Sequence, residues 1–201
     1  MTGTGVNQPR RSNGLATGPG TAADQQARFA RFDLQQPALV RLGEDGFGWR
    51  LSIADIEASG GFSSFAGYQR IITVLQGDGM RLTVDGAHSR PLLPFDAYAF
   101  SGESQVSCTL LGGPIRDFNL IYAPGRYRAR LQWFNGGSRL FSAASSVLIF
   151  SGQAQLQVSL DGQVQPALGL YDCLQLSGND RLVEVDVLGR CCVIELNPLF
   201  E

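Results

Sequence analysis

The 201-residue sequence predicts an all-β fold made of two similar units in tandem. Three observations carry this. From Leu34 onward, short runs of apolar and β-branched residues are punctuated by Gly, Pro, Asp and Asn, and no stretch shows the periodicity of an amphipathic helix. Gly77-Asp78-Gly79, Asp85-Gly86 and Asp161-Gly162 mark tight hairpins, because Gly and Asp tolerate the positive φ such turns need. Finally, "IITVLQGDGMRLTVDG…FDAYAFSGES" (71–86, 95–104) lies over "SVLIFSGQAQLQVSLDG…YDCLQLSGND" (146–162, 171–180). The shift is 75 residues at Gly77/Gly152 and 76 at Asp85/Asp161, Asp96/Asp172 and Ser101/Ser177, so one inserted residue reconciles the copies.

Taken in chain order, residues 1–30 read as a disordered tail. The first 27 or so are rich in Gly, Thr, Asn, Gln and Pro and carry too little apolar surface to offset the entropy of ordering. At its end "AADQQARFARF" (22–32) has room for a helical turn or two. Strands are expected over 37–42, 47–55, 70–76, 79–85, 97–101, 106–111 and 116–122 in a first unit, 31–122. A second unit, 123–201, holds strands over 127–134, 146–151, 153–160, 172–177, 181–187 and 190–196.

Composition narrows the function. A formal charge of −2, a pI near 5.4 and sixteen scattered arginines with no lysine give no field for nucleic acid or an anionic membrane. No apolar run approaches the ~18 residues of a spanning helix, and the N-terminus lacks the apolar core of a secretory signal, so a cytoplasmic location is expected. Cys108, Cys173, Cys191 and Cys192 form no Cys-x-x-Cys pair and read as buried thiols. His88, the sole histidine, reads as a solvated loop residue. One imidazole supports neither the usual two-histidine metal sites nor a Ser-His-Asp relay, so neither metal nor cofactor is expected.

Two strands carry candidate chemistry. In "GWRLSIA" the period of two puts Arg50, Ser52 and Ala54 on one face and Trp49, Leu51 and Ile53 on the other. In "RDFNLIY" Asp117 and Asn119 share a face with Ile121, opposite Phe118 and Leu120. A guanidinium drawn into a partly apolar barrel needs a carboxylate, supplied by Asp117 or by a ligand; the residues alone leave both open. "GFSSFAG" is a Gly-rich loop whose amides can approach an acceptor, and Arg70 follows it.

Five elements in order, "WRLSIA" (49–54), "GFSSFAGYQR" (61–70), "LQGDG" (75–79), "FSGE" (100–103) and "GPIRDFNL" (113–120), resemble segments shared by the HutD/Ves family. Ala66-Gly67-Tyr68-Gln69-Arg70 stands where that pattern has Pro-Gly-x-Asp-Arg. The repeated unit resembles the cupin (RmlC-like) jelly roll, and the resemblance implies two tandem cupin barrels, a bicupin. It also implies a function: a metal-free binder of a small anionic metabolite of the urocanate or formylglutamate class, modulating histidine utilisation. The implied site is Arg50, Ser52, Ser63, Arg70, Asp117 and Asn119. The alternatives are a metal-independent isomerase or lyase with Asp117 as base and Arg70 on an enolate, or a stress-related protein with a vestigial pocket. The lack of a second acid–base group beside Asp117 favours binding over catalysis. In the second unit "QLQVSL" has no arginine or histidine, so a scaffold or homodimer contact is expected there.

Overall fold

Period-two alternation shapes the outer strands: along Val183–Leu188 the three valines are buried while Glu184, Asp186 and Leu188 turn outward. "IITVL" and "SVLIF" break that rule, being apolar at consecutive positions, as strands do when both faces are covered. A computed structural model describes residues 28–33, 38–41 and 47–199. The strands are β1 (Arg28–Asp33), β2 (Ala38–Arg41), β3 (Phe47–Ile56), β4 (Gly60–Gly61), β5 (Gln69–Gln76), β6 (Met80–Val84), β7 (Ala87–Leu92), β8 (Ala97–Ser101), β9 (Val106–Leu110) and β10 (Ile115–Tyr122). They continue as β11 (Tyr127–Phe134), β12 (Gly137–Ser142), β13 (Ser146–Ser151), β14 (Gln157–Leu160), β15 (Gln163–Val164), β16 (Asp172–Ser177), β17 (Val183–Leu188) and β18 (Cys191–Pro198). Among the described residues no helix is long and apolar enough to cross a membrane.

Four antiparallel sheets form two barrels. Sheet β2-β3-β10-β5-β8 covers β4-β9-β6-β7 around Ile72, Val74, Met80, Leu82 and Leu92. Sheet β1-β16-β13-β18-β11 covers β12-β17-β14-β15 around Val147, Ile149, Leu156, Val158 and Val185. A third core joins the backs of the two five-stranded sheets, with Trp49, Leu51, Phe118 and Leu120 meeting Leu148, Phe150, Ile194 and Leu196. Phe150 is its hub, stacked on Phe118 at 4.6 Å and on Tyr171 at 5.8 Å, with Trp133 edge-on at 5.9 Å.

The repeat is visible in the backbone. Asp85 and Asp161 both have φ of 49°, each followed by a positive-φ glycine, as the hairpin reading requires. Phe95 and Tyr171, at φ of 71° and 65°, are matching corners. In each, the following aspartate accepts an upstream amide, Leu93 N to Asp96 Oδ2 at 3.1 Å and Gly169 N to Asp172 Oδ2 at 2.7 Å. Each corner also tucks its ring under an arginine of the other barrel, Arg190 over Phe95 at 4.3 Å and Arg116 over Tyr171 at 5.9 Å.

Several expectations need correcting. The tail reading falls outside the described residues up to 27, but Arg28–Asp33 is a strand, so the helical turn placed over 22–32 and the last three tail residues give way there. β1 pairs antiparallel with β16, Arg28 opposite Ser177 and Asp33 opposite Asp172. An open strand edge supplies backbone partners that an isolated turn of helix lacks. The N-terminal segment thereby joins the C-terminal sheet. β4, β7, β12 and β15 are further strands that the sequence does not announce, and the run 153–160 shortens to Gln157–Leu160. β7 contains Pro91 and crosses a register shift, while β4 and β15 are two-residue pairings too short to leave a periodic signal. His88 sits on β7 rather than in a loop, exposed, with its Nδ1 3.1 Å from Thr83 Oγ1.

Candidate functional site

Strand register assembles the site in the first barrel. β10 pairs with β3 on one side and β5 on the other, setting Arg50, Ile121 and Arg70 in one row across three strands. The next row is Ser52, Asn119 and Ile72, and the third is Ala54, Asp117 and Val74. Because alternate residues share a face, these rows point into the barrel while Leu51, Phe118 and Leu120 point at the second barrel. The loop after β4 closes over the open end. Together they line a cavity of about 280 Å³ whose walls include Arg50, Ser52, Ser63, Arg70, Asp117 and Asn119. All six sequence-predicted residues therefore meet in one place.

Arg70 is the centre of the arrangement. Only 4% exposed, it donates from Nη2 to Asn119 Oδ1 at 2.8 Å and from Nη1 to the Ser63 carbonyl at 3.0 Å. Its guanidinium carbon lies 5.3 Å from the Phe62 and Phe65 rings and 5.1 Å from Phe100. These three rings are additions to the expected site residues. They stand inside the quoted "GFSSFAG" and "FSGE" segments, so the signal is present in the sequence, behind the glycines and serines that draw the eye there. Asn119 turns its amide nitrogen to Asp117 Oδ1 at 3.0 Å, giving a chain Arg70–Asn119–Asp117 with no direct Arg70–Asp117 contact. The protein-internal ion pair that the sequence leaves open is thus replaced by an amide bridge. Ser63 serves the site through its main-chain oxygen, and its side chain is exposed at the rim.

The charges are incompletely matched. Arg50 Nε and Arg70 Nε are both buried without a hydrogen-bond partner. A buried donor left unmade costs about 1–3 kcal/mol, more when charged. Burial pulls the Arg70 pKa below its ordinary value; Asp117 opposes this, and the charge of Arg50 adds to it. Burial likewise lifts the Asp117 carboxyl to about 6, against the Asn119 hydrogen bond and the charge of Arg70. The second barrel carries an exposed ion pair instead. There Arg130 lies opposite Glu195 and pairs with it at 3.3 Å, and Glu195 also accepts the Ser142 hydroxyl at 2.5 Å. Its arginine already has a carboxylate. Among the described residues no group of three His, Cys, Asp or Glu side chains is placed to hold a metal ion.

Gly102 holds the loop in place. Its carbonyl accepts Phe65 N at 2.7 Å and Ser64 Oγ at 3.2 Å, and its amide donates to Tyr68 O at 2.8 Å. A Cβ there would run into the carbonyl oxygens of Phe65 and Tyr68. Gly102→Ala must therefore push the loop outward and draw Phe65 and Ser63 off Arg70. The expected result is a loss of about 1–3 kcal/mol in urea unfolding.

Known proteins resemble the chain across both barrels. The HutD family model matches residues 35–193. An uncharacterised 21.2 kDa protein in the hutC 3′ region of Pseudomonas putida is 74% identical over 154 residues, covering 77% of this chain and 81% of that protein. The structure of HutD from Pseudomonas fluorescens SBW25, in a formate condition, is 52% identical with a TM-score of 0.72, covering 89% of this chain and 97% of that one. A salicylate 1,2-dioxygenase from Pseudaminobacter salicylatoxidans aligns at a TM-score of 0.55, covering 85% of this chain and 83% of its own. At 7% identity it speaks to the tandem-barrel, cupin-like fold alone.

Proposed function

The chain belongs to the HutD family, and from that premise we propose that the first barrel binds a small carboxylate metabolite, without metal, in the service of histidine utilisation. The single observation that carries the reading is that two guanidiniums, on Arg50 and Arg70, line one cavity and each keeps an Nε without a hydrogen-bond partner. Two guanidiniums of like charge lining one space are complementary to a carboxylate, which offers an oxygen to each. The charge count agrees: two arginines against one ionised Asp117 leave one positive charge to be met. The hutC neighbourhood of the P. putida relative supports the pathway. Asp117, lifted to about 6, also lies in the range of a general base, so every binding assay should be followed for turnover.

Thermal-shift titration with formate, acetate, urocanate and formylglutamate tests the reading. A binder raises the melting temperature with concentration, by about 2.7 kcal/mol of stability at one hundred times Kd. Arg50→Ala should weaken formate binding tenfold or more without changing the unliganded melt by more than a degree or two. No stabilisation by any of the four acids would end the proposal. Acidity supplies a second check. A bound anion favours neutral Asp117, so formate affinity rises as the pH falls through about 6. Asp117→Asn should flatten that dependence.

A further inference from the structure

The two five-stranded sheets share four strands and differ in the fifth. In the first sheet β3, β10, β5 and β8 run in the order that β11, β18, β13 and β16 keep in the second. The registers agree as well: Leu120 lies between Leu51 and Ile71, and Leu196 lies between Ala129 and Ser146, the repeat counterpart of Ile71. Arg128 therefore stands on β11 where Arg50 stands on β3. The outer edge of β3 is covered by β2, with Leu39 opposite Arg50. In the second sheet the fifth strand is β1, on the far side against β16, so among the described residues the outer edge of β11 has no strand beside it.

That edge is long and positively charged. Along Tyr127–Phe134, Arg128, Arg130 and Gln132 are exposed on one face, while Ala129 and Leu131 on the other pack into the core between the barrels. Arg126, exposed in the turn just before, continues the ladder by accepting Leu199 N at 2.8 Å. Arg130 pairs with Glu195; among the described residues neither Arg126 nor Arg128 has an ion-pair partner. Cavities of about 340 Å³, lined by Arg128 and Arg130, and about 200 Å³, lined by Arg130 and Gln132, leave room beside the guanidiniums. A bare edge offers unpaired N–H and C=O groups to any extended chain. Here the arginines repel a second copy of the same strand and any basic segment, and attract an acidic one.

We propose that the outer edge of β11 is a docking site for an extended acidic segment of a partner protein, which joins the sheet as a sixth strand. Its main chain pairs with β11 as β2 pairs with β3, and acidic side chains at alternate positions meet Arg128 and Arg130. The residues between them are apolar or β-branched, because their side of the sheet is that of Ala129 and Leu131. A nucleic acid has no peptide groups to pair with the edge, and a chain of net charge −2 gives it no wide basic field.

Fluorescence anisotropy of a labelled peptide, Glu-Thr-Glu-Val-Glu-Thr-Glu capped at both ends, tests this on the full chain at pH 7.5 and low salt. Saturable binding is expected, weakening as salt is added. The double variant Arg126→Ala, Arg128→Ala should bind about fivefold more weakly, as the loss of two exposed charge pairs implies. A peptide methylated on every backbone nitrogen keeps its charges but cannot donate to the edge, and should bind at least tenfold more weakly. Arg70→Met should bind the peptide as the wild-type chain does. Absence of saturable binding would overturn the proposal, and so would equal affinity for the methylated peptide, which would reduce the edge to a patch of charge. Equal affinity for a peptide with Lys in place of Glu, or of the double variant and the wild-type chain, would also overturn it. Loss of binding in Arg70→Met would move the peptide to the first-barrel cavity. Displacement of the peptide by an equal concentration of a single-stranded oligonucleotide would reassign the surface to nucleic acid.

Discussion

Phe150→Ala is expected to cost about 3–5 kcal/mol of unfolding free energy. The ring is fully buried and packs on Phe118, Trp133 and Tyr171 at once, so truncation opens a cavity bounded by stiff aromatic neighbours that cannot collapse into it. For a chain of this size the melting temperature should fall by roughly 6–20 °C. Urea unfolding monitored by tryptophan fluorescence checks the value, Trp133 lying beside the altered ring. The substitution is in the second barrel, but its effect should reach the first. Phe118 lies on β10 between Asp117 and Asn119, with its side chain on the opposite face, so any shift of its ring moves the strand that carries both polar residues. Formate affinity should drop with stability. A loss below about 1 kcal/mol with unchanged binding would mean the barrels pack as independent bodies.

Arg70→Met is expected to abolish the response to small acids. Methionine is flexible and suits contact with aromatic rings, so it can occupy the space among Phe62, Phe65 and Phe100 while removing every donor. The Ser63 carbonyl and the Asn119 oxygen lose their partner, a cost of about 1–3 kcal/mol that the fold should survive. Formate and urocanate affinities should both fall by a hundredfold or more. Arg70→Lys should rescue little, because an ammonium cannot reproduce a planar fork sandwiched by rings. Retained acid binding by the methionine variant would place the site elsewhere.

The sequence carries the fold well where local chemistry and tertiary structure agree. Tyr127–Phe134, Ser146–Ser151 and Asp172–Ser177 appear with the bounds read from alternation and turns, and both Asp-Gly hairpins have the φ values that their residues invite. It fails where pairing is decided at a distance. Nothing local in "RFARFD" says strand; β16, more than a hundred residues later, makes it one. Gly60–Gly61 is a strand only because Ser107 and Cys108 lie beside it. At the site, period two correctly groups Arg50 with Ser52 and Asp117 with Asn119, and the resemblance brings Ser63 and Arg70 to them. What stays hidden are contacts between segments. That Asn119 separates Arg70 from Asp117, and that Phe100 covers the guanidinium, depends on the β10–β5 and β5–β8 registers, which no single segment encodes.

The course of β1 has a consequence in time. It is made before either barrel, but its pairing partner begins at Asp172, 139 residues after Asp33. At about 5–20 residues per second of synthesis, that interval is roughly 7–28 s. Throughout it the sheet that β1 completes does not exist. The strand therefore has to be threaded into register after its partner appears, and with so large a sequence separation its closure is a late, slow step of folding. The N-terminal strand is the first part of the described chain to be synthesised and among the last to find its place.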